Sequence, residues 1–386
     1  MNPAVDRVLA DPVESGKIPG VAALVAGESG IVYQGAFGRR AIDKPEPMTL
    51  DSVFRIASMT KAITATAAMQ LVESGRIGLD QAIGELLPFT RDVQVLEGFD
   101  DTGQPRLRAP AGPVTVRHLL THTSGYGYDI FNADLARFIE TVGLPSIVSC
   151  RHDSLKVPLL FDPGTRWEYG IGIDLAGRIV ETVSGQDLEA YFRQHILGPL
   201  GMTDTGFRPT DAMQQRLAGA HARGADGNPV PLEVESPRDP EFLMGGGGLF
   251  STAVDYMAFC RMLLGGGVLD GRRVLRPETL KLMSENHIGA LEVPKVRSDN
   301  PQMVLEAEMF PGIVKKWGLS FLINMEPWPG GRAAGSLCWA GVHNTFFWID
   351  PASKIAAVLM MQLLPANDPA AVEALVGFEA AVYGLS

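Results

Sequence analysis

Short apolar runs near both ends of the chain predict β-strands. Residues 20–27 and 31–36 are separated by Glu28-Ser29-Gly30, a spacing typical of a hairpin. A third short strand is predicted at residues 53–56. Residues 355–363 are almost continuously apolar, as expected for a strand buried on both faces. Three further strands are predicted before it, at residues 317–323, 336–340 and 343–349.

The remaining apolar positions mostly follow helical spacing. The run from Ala57 to Gly75 predicts a long helix, and Gly75 ends it because glycine tolerates the left-handed conformation of a helix terminus. Pro- and Gly-rich charged connections are predicted at residues 98–113 and 223–239. Further helices are predicted at residues 82–87, 116–120, 135–142, 173–184, 188–197, 253–264, 277–285 and about 369–382.

This order of elements predicts an α/β fold of the α+β type. A mainly antiparallel sheet would be built from both chain ends, flanked by helices, with a largely helical region inserted between them. The predicted domains are therefore residues 1–80 plus 300–386, and residues 81–299. We expect an active site in the cleft between the two domains.

Composition narrows the classes of function. The 386 residues are 46% hydrophobic and 20% charged, which is typical of a globular protein. The 33 basic and 44 acidic residues give a net charge of −11, which argues against nucleic acid or an anionic membrane as a partner. Residues 1–7 lack the pattern of a signal peptide, so a cytoplasmic location is predicted. Cys150, Cys260 and Cys338 are expected to be reduced core thiols.

The helix that begins near Ala57 has a lysine at an unusual position. Lys61 is the only charged residue between Ala57 and Val72, and it lies in the first turn, where the helix dipole disfavours a cation. Ser58 lies three residues earlier, so its hydroxyl can meet the amine. Burial and the dipole both favour a neutral amine, which is a base beside a nucleophile. The alternative is that Ser58 caps the helix and Lys61 extends to water.

Two other segments offer groups that this pair would need. The turn Asp162-Pro163-Gly164 precedes Tyr169 and could aim its hydroxyl into a cleft. The alternative is an ordinary buried tyrosine. Gly341 interrupts an apolar strand, where an unpaired backbone N–H could bind an oxyanion, although a simple bulge would show the same pattern.

Other catalytic signatures are incomplete. No serine has glycine at both −2 and +2, so the G-x-S-x-G turn of α/β-hydrolases is absent from the sequence. His118 and His122 are four residues apart but lack the adjacent glutamate of a zinc peptidase, so we expect them to bond neighbouring backbone and bind no metal. A Ser-His-Asp triad stays open, although no serine is marked as its nucleophile. Residues 245–248, four glycines, predict close backbone packing near a cleft.

The order of these motifs resembles the serine β-lactamase and penicillin-binding protein superfamily. The likeness combines S-x-x-K at Ser58 and Lys61, the Tyr169 segment and the late-strand motif Trp339-Ala340-Gly341. It extends from about residue 19 to residue 363. Three segments between these motifs also resemble the superfamily, at residues 119–125, 163–169 and 246–252.

Within that superfamily the chain is most similar to family VIII carboxylesterases, relatives of class C β-lactamases. Ile171 stands where lactamases have the asparagine of Tyr-Ser-Asn, and Trp339 stands where they have the lysine of Lys-Thr-Gly. A pocket that gains these apolar groups and loses a cation should prefer neutral acyl esters. The resemblance therefore implies a serine carboxylesterase for short-chain, neutral acyl esters. A β-lactamase or DD-peptidase-like hydrolase, an acyltransferase using the same acyl-enzyme, and a non-catalytic binding module are the alternatives.

The resemblance also implies roles for individual residues. Ser58 would be the nucleophile, Lys61 and Tyr169 would share proton transfer, and the backbone N–H groups of Ser58 and Val342 would form an oxyanion hole. No cofactor and no metal are implied, and the expected partner is a small-molecule ester. The oligomeric state is left open. The predicted substrate-binding residues are Tyr126, Tyr128, Trp167, Ile171, Trp339 and Gly341, with Phe346 and Trp348 as further candidates for the cleft wall.

Overall fold

The computed structural model describes residues 3–235, 237, 239–296 and 298–384. Both kinds of element alternate along the chain. The strands are β1 (Gly20–Gly27), β2 (Gly30–Gly38), β3 (Val53–Arg55), β4 (Val95–Phe99), β5 (Pro105–Arg108), β6 (Ala220–Arg223), β7 (Pro229–Leu232), β8 (Phe250–Thr252), β9 (Val268–Leu269), β10 (Arg272–Arg273), β11 (Lys315–Trp317), β12 (Leu322–Asn324), β13 (Leu337–Gly341), β14 (Thr345–Asp350) and β15 (Ile355–Met360). The helices are α1 (Pro3–Glu14), α2 (Thr60–Glu73), α3 (Ile83–Leu86), α4 (Val116–Leu120), α5 (Ala133–Val142), α6 (Gly172–Ser184), α7 (Leu188–Phe192), α8 (Gly198–Leu200), α9 (Asp211–Gln215), α10 (Ala253–Leu264), α11 (Pro277–Met283) and α12 (Pro369–Tyr383).

The large sheet joins the two ends of the chain, which confirms the predicted fold class. Over the described residues it has seven strands in the order β11-β12-β13-β14-β15-β1-β2, and every neighbouring pair is antiparallel. The ends meet where β1 pairs with β15, with Ala22 opposite Met360. The division into two domains stays a prediction.

Helices cover both faces of this sheet. Phe347 of β14 contacts the ring of Tyr256 in α10, whereas its neighbour Trp348 contacts the ring of Phe378 in α12. Because successive strand residues point to opposite faces, α10 and α12 lie on opposite sides of the sheet. The helix α1 packs beside α12, and α2 packs against α6 further from the sheet.

Several predicted boundaries need correction. The strand predicted at residues 317–323 is a hairpin of β11 and β12, whose link includes Ser320 with a φ of 76°. The predicted strand at residues 53–56 pairs with β8 and forms a small sheet of its own. The connections predicted at residues 98–113 and 223–239 contribute β5 and β7, each completing a short hairpin with the preceding strand. These two segments therefore contain β-strands, although their charged and proline-rich composition had predicted connections without regular structure.

The helix after β3 begins differently from the sequence prediction. Ala57–Met59 forms a 3₁₀ turn, and α2 continues from Thr60. The Ser58 side chain makes no capping hydrogen bond at either helix start, so the alternative of a simple N-cap is wrong. Ala57 has a φ of 43°, an unusual value for a residue with a Cβ, and such strain is often found at functional sites.

Among the described residues, none of the helices combines the length and the apolar character needed to cross a membrane. The cytoplasmic location stays a prediction. The three cysteines are buried and unpaired, as expected from their spacing. His118 Nδ1 accepts a hydrogen bond from the Thr115 N–H, and His122 Nδ1 accepts one from the Gly170 N–H. Both histidines therefore contact neighbouring backbone, as the sequence suggested.

Candidate active site

Ser58 and Lys61 meet where α2 begins. The Lys61 Nζ donates a hydrogen bond to the Ser58 Oγ at 3.1 Å, so the spacing of three residues brings amine and hydroxyl together as predicted. Lys61 is 1% exposed and lies among apolar helices, so the possibility that its amine reaches water is excluded. The Ser58 side chain, in contrast, lines a cleft. This arrangement would present the Ser58 hydroxyl to a ligand and keep the Lys61 amine behind it.

A closed ring of hydrogen bonds fixes the Lys61 amine from behind. Its Nζ donates to the Tyr128 hydroxyl at 3.1 Å and to the Gly246 carbonyl at 2.6 Å. The Tyr128 hydroxyl donates to Asp174 Oδ2 at 3.0 Å, and the Gly246 N–H donates to Asp174 Oδ1 at 2.7 Å. We call Lys61, Tyr128, Asp174 and Gly246 the lysine ring. It explains the glycine at position 246, because a Cβ there would overlap the Asp174 carboxylate.

The electrostatics of the lysine ring follow from its burial. Desolvation raises the pKa of Asp174, while the Lys61 charge, the Gly246 N–H and the Tyr128 hydroxyl act in the opposite direction. Desolvation and the Asp174 charge raise the pKa of Tyr128 well above its usual value. Burial first and the Lys61 charge second lower the pKa of His122, so this neighbour is neutral near pH 7. The ring therefore contains a lysine, a carboxyl group and a phenol that stays protonated.

Tyr169 lies on the cleft side of Lys61. Its ring centroid is 4.6 Å from the Lys61 Nζ, and its hydroxyl accepts a hydrogen bond from the Trp339 Nε1 at 3.2 Å. In the described part of the chain, the Tyr169 hydroxyl makes no hydrogen bond to Ser58 or Lys61. Tyr169 lines the same cleft as Ser58 and is half-buried, so it is not the fully buried tyrosine of the alternative interpretation.

The oxyanion hole predicted from the N–H groups of Ser58 and Val342 involves two segments that pack together. The turn after β13 packs against the 3₁₀ turn, where the Thr345 Oγ1 donates to the Ile56 carbonyl at 3.3 Å. A Cβ at Gly341 would overlap the Ile56 carbonyl, so this glycine marks a close backbone approach. Ser58 and Val342 both line the cleft, and within residues 3–235, 237, 239–296 and 298–384 neither N–H has a backbone acceptor. Such a pair is what an oxyanion hole requires.

The cleft consists of two connected parts. The inner chamber contains Ser58 and has no charged side chain among its described lining residues. Its walls are Ser58, Phe131, Tyr169, Val296, Val304, Ala307, Met309, Trp339, Ala340, Gly341, Val342, Asn344, Phe346, Ala366 and Asn367. Asn344 and Asn367 direct their amide groups to the backbone carbonyls of Leu363, Pro365 and Leu305. The inner chamber is therefore suited to a neutral, apolar group.

The outer chamber is more polar and shares Phe131, Tyr169 and Val296 with the inner one. Its remaining described lining residues are Asn132, Trp167, Glu168, Pro294, Lys295 and Asp299. Residues 294–296 and 298–309 cover both chambers. Hydrogen bonds hold this cover in place: the Leu305 N–H donates to the Ala366 carbonyl at 3.0 Å, and the Ala133 N–H donates to Asp299 Oδ2 at 3.0 Å.

The structure places the predicted substrate-binding residues in different parts of the site. Trp339, Gly341 and Phe346 line the inner chamber, and Trp167 lines the outer one. Tyr128 belongs to the lysine ring instead of the cleft wall.

Three residues need correction. Tyr126 and Ile171 are 1% and 2% exposed, and the described walls of the two chambers do not include them. Ile171 precedes the first turn of α6 and packs in the core, so it does not shape the pocket. Trp348 is two residues beyond Phe346 on the same face of β14, where Phe378 of α12 covers it.

Asp174 and the role of Tyr128 were missed from sequence. Asp174 lies in the first turn of α6, where an acidic residue usually needs no explanation beyond the helix dipole. The one available signal was its position within an otherwise apolar turn, Gly172-Ile173-Asp174-Leu175-Ala176. Tyr128 is 46 residues away from Asp174 along the chain, so only the fold reveals their contact.

A serine beside a buried lysine, a tyrosine in the same cleft and an antiparallel sheet flanked by helices together are typical of the serine β-lactamase fold. The chain belongs to the Beta-lactamase family, whose model matches residues 5–382, and the predicted superfamily is confirmed. The chain is 35% identical to monacolin J acid methylbutanoyltransferase of Aspergillus terreus, over 96% of this chain and 93% of that protein. It is 30% identical to the lovastatin esterase of Penicillium rubens, over 94% of each. The crystal structure of unliganded simvastatin synthase from Aspergillus terreus superposes with a TM-score of 0.86 at 32% identity, covering 99% of this chain and 97% of that one.

Proposed function

We propose that this protein is a serine acyltransferase that carries a neutral acyl group on Ser58 and delivers it to an alcohol acceptor. The observation that carries the proposal is the hydrogen bond between Lys61 and Ser58 at the floor of an uncharged chamber. Relatives with this fold include both a methylbutanoyltransferase and an esterase, and they favour the transferase alternative over the carboxylesterase that the sequence suggested.

The first half of the reaction forms the acyl-enzyme. The Ser58 Oγ attacks the carbonyl carbon of an ester donor while its proton moves to the Lys61 amine. The carbonyl electron pair moves to oxygen, where the N–H groups of Ser58 and Val342 stabilise the negative charge. The bond to the leaving group then breaks as the departing oxygen takes the proton of the Tyr169 hydroxyl, and the Lys61 ammonium gives its extra proton to Tyr169, so that both side chains return to their starting forms.

The second half reverses these steps with a new alcohol. The acceptor hydroxyl gives its proton to the Tyr169 and Lys61 pair, its oxygen bonds to the acyl carbon, and the Ser58 Oγ leaves with a proton. Water in place of the acceptor gives hydrolysis. Few polar groups of the inner chamber are available to hold such a water, since both asparagines bond to backbone. The outer chamber offers space for an acceptor beside Tyr169.

Trp339 bears on the β-lactamase alternative. A β-lactam carboxylate needs a cation, and the described residues of the inner chamber include none. An indole ring, tilted by 52° to the Tyr169 ring with the two ring centroids 5.2 Å apart, occupies the position where lactamases have a lysine. We therefore expect turnover of a chromogenic cephalosporin to be much slower than turnover of esters.

The test is to measure how the acyl-enzyme divides between water and an alcohol. The enzyme is given a short-chain p-nitrophenyl ester and increasing concentrations of a hydrophobic alcohol, and the ester and acid products are quantified. We expect transfer to dominate and mass spectrometry to find the acyl group on Ser58. Ser58→Ala should reduce turnover at least about 1,000-fold. Activity of Ser58→Ala within tenfold of the wild type would refute the acyl-enzyme.

Esterase activity is the second candidate, favoured by the similarity to the lovastatin esterase. An esterase would release free acid at a rate that added alcohol does not reduce. Ser58 would still be acylated during turnover. That result would leave the nucleophile in place and replace the acceptor with water.

A further inference from the structure

Asp174 is a buried carboxyl group to which the proposed mechanism gives no role. It is 0% exposed and lines neither chamber among their described residues. Its two oxygens accept hydrogen bonds from the Tyr128 hydroxyl and the Gly246 N–H, and both of those residues also bond to Lys61. Burying a carboxyl group in this way is costly unless its partners compensate.

We propose that Asp174 is the positioning residue that directs the Lys61 amine toward Ser58, acting through the hydroxyl of Tyr128 and the backbone of Gly246. The inference rests on the proposed function, because it assigns Asp174 a part in the same proton transfer. An ionised carboxylate only accepts hydrogen bonds, so the Tyr128 hydroxyl must donate to it. The Tyr128 oxygen is then available to accept a hydrogen bond from Lys61.

The hydrogen bonds of Lys61 also determine the direction in which the lone pair of its neutral amine points. A neutral amine has two hydrogens and one lone pair. The Tyr128 oxygen accepts one hydrogen and the Gly246 carbonyl, which can only accept, takes the other. The lone pair is left for the third neighbour, Ser58, whose hydroxyl can donate into it at 3.1 Å. With Asp174 ionised, the neutral lysine is thus a base aimed at the nucleophile.

The carboxylate also stabilises the product of the proton transfer. When the Ser58 proton moves to Lys61, the amine becomes an ammonium whose three hydrogens face Ser58, Tyr128 and Gly246. The Asp174 charge lies one hydroxyl away and attracts this cation. Asp174 therefore plays the part that an aspartate plays for the histidine of a Ser-His-Asp triad, orienting the base and stabilising its charged form.

Other charged or titratable groups near the ring come from several elements. Tyr169 and Asp129 act on Tyr128, and Cys150 and Lys61 interact with Asp174. His122 is held neutral by burial and by Lys61. Among the described residues, Asp174 is thus the carboxylate that is hydrogen-bonded to Tyr128 and Gly246, whereas Asp129 acts on Tyr128 only through its charge.

The experiment compares Asp174→Asn with the wild type in a single-turnover assay of Ser58 acylation by a p-nitrophenyl ester. An amide can donate to the Tyr128 oxygen, which turns the Tyr128 hydroxyl toward the Lys61 lone pair. We expect the acylation rate to fall about 100-fold or more. The rising limb of the pH profile should move to lower pH, because the ammonium loses its counter-charge. Donor binding should change little, because Asp174 does not line the chambers.

Controls separate this role from a structural one. Asp255→Asn is the matched control, since Asp255 is also a buried aspartate in the first turn of a helix, bonded to the Asp204 N–H and Thr205. It should leave both acylation and its pH profile unchanged. Tyr128→Phe keeps the carboxylate but breaks the connection, so it should slow acylation as well, and it remains informative if Asp174→Asn does not fold.

Failure of the positioning role and failure of the proposed function give different experimental results. Equal acylation rates and pH profiles for folded Asp174→Asn and the wild type would overturn the positioning role and leave the proposed function intact. If Asp174→Asn does not fold, wild-type acylation by Tyr128→Phe would overturn it too. Absence of acyl-Ser58 in the wild type would instead refute the proposed function.

Discussion

At the scale of single residues, Trp339 both lines the inner chamber and contacts Tyr169. Its ring contributes to the uncharged wall, and its Nε1 donates to the Tyr169 hydroxyl at 3.2 Å. One side chain thus removes a cation that lactamases use and supplies a hydrogen bond to the proposed proton carrier. The apolar character of this position was predictable from sequence, but the hydrogen bond was not, because 170 residues separate the partners.

Trp339→Phe should keep the apolar wall and lose the hydrogen bond. We expect kcat/KM for a neutral ester to fall about fivefold to tenfold, the amount that one hydrogen bond contributes. The matched control is Trp348→Phe, which also removes an indole N–H bonded to a tyrosine hydroxyl, that of Tyr383, but lies under α12. Equal effects of the two changes on kcat/KM would contradict a specific role for the Trp339 N–H.

At the scale of elements, the sequence predicted those parts of the site that depend on short spacings. Ser58 and Lys61 are three residues apart on one turn, so helical geometry alone brings them together. The other members of the lysine ring lie on the loop before α5, on α6 and in the glycine run before β8. Tertiary packing decides which of these segments meet, and no local pattern encodes it. The misplacement of Ile171 has the same origin, since adjacency to Tyr169 in sequence does not put both side chains in the cleft.

The glycine run is the element whose backbone completes the lysine ring. Gly246→Ala should therefore reduce kcat/KM at least about 100-fold, since a Cβ would overlap the Asp174 carboxylate, lie 2.6 Å from the Tyr128 hydroxyl and displace Lys61. Gly247→Ala is the control in the same run, because its Cβ would make only ordinary contacts with Met244 and the Ala57 backbone. Kinetic assays and thermal unfolding of the two variants check this prediction. It is wrong if both tolerate alanine equally.

At the scale of the whole molecule, the site lies where the two chain ends and the middle segment meet. The oxyanion turn comes from the late strands, Ser58 from the early segment, and Tyr169 from the middle. The antiparallel sheet, in which β1 pairs with β15, joins the early and late segments that contribute to the proposed site. Any loss of global packing should reduce activity together with stability.

His343 links this packing to pH. It lies beside Val342, and its Nδ1 has no hydrogen-bond partner among the residues that the structure describes. Burial, together with the Arg55 charge, lowers the pKa of its imidazole to about 4. The unfolded chain takes up this proton below about pH 6.5, whereas the folded chain does so only below about pH 4. Between these values the unfolded state binds more protons, so the free energy of unfolding falls as the pH is lowered.

We therefore expect urea unfolding at pH 7.0 and 4.5 to show a contribution of about 2–3 kcal/mol from this one histidine. His343→Gln should lose less stability than the wild type over this interval by that amount. His152→Gln, which changes an exposed histidine, should follow the wild type. An identical pH dependence in all three proteins would show that His343 titrates normally in the folded state. The measurement thus tests whether the turn that carries the proposed oxyanion N–H is as tightly packed as its burial implies.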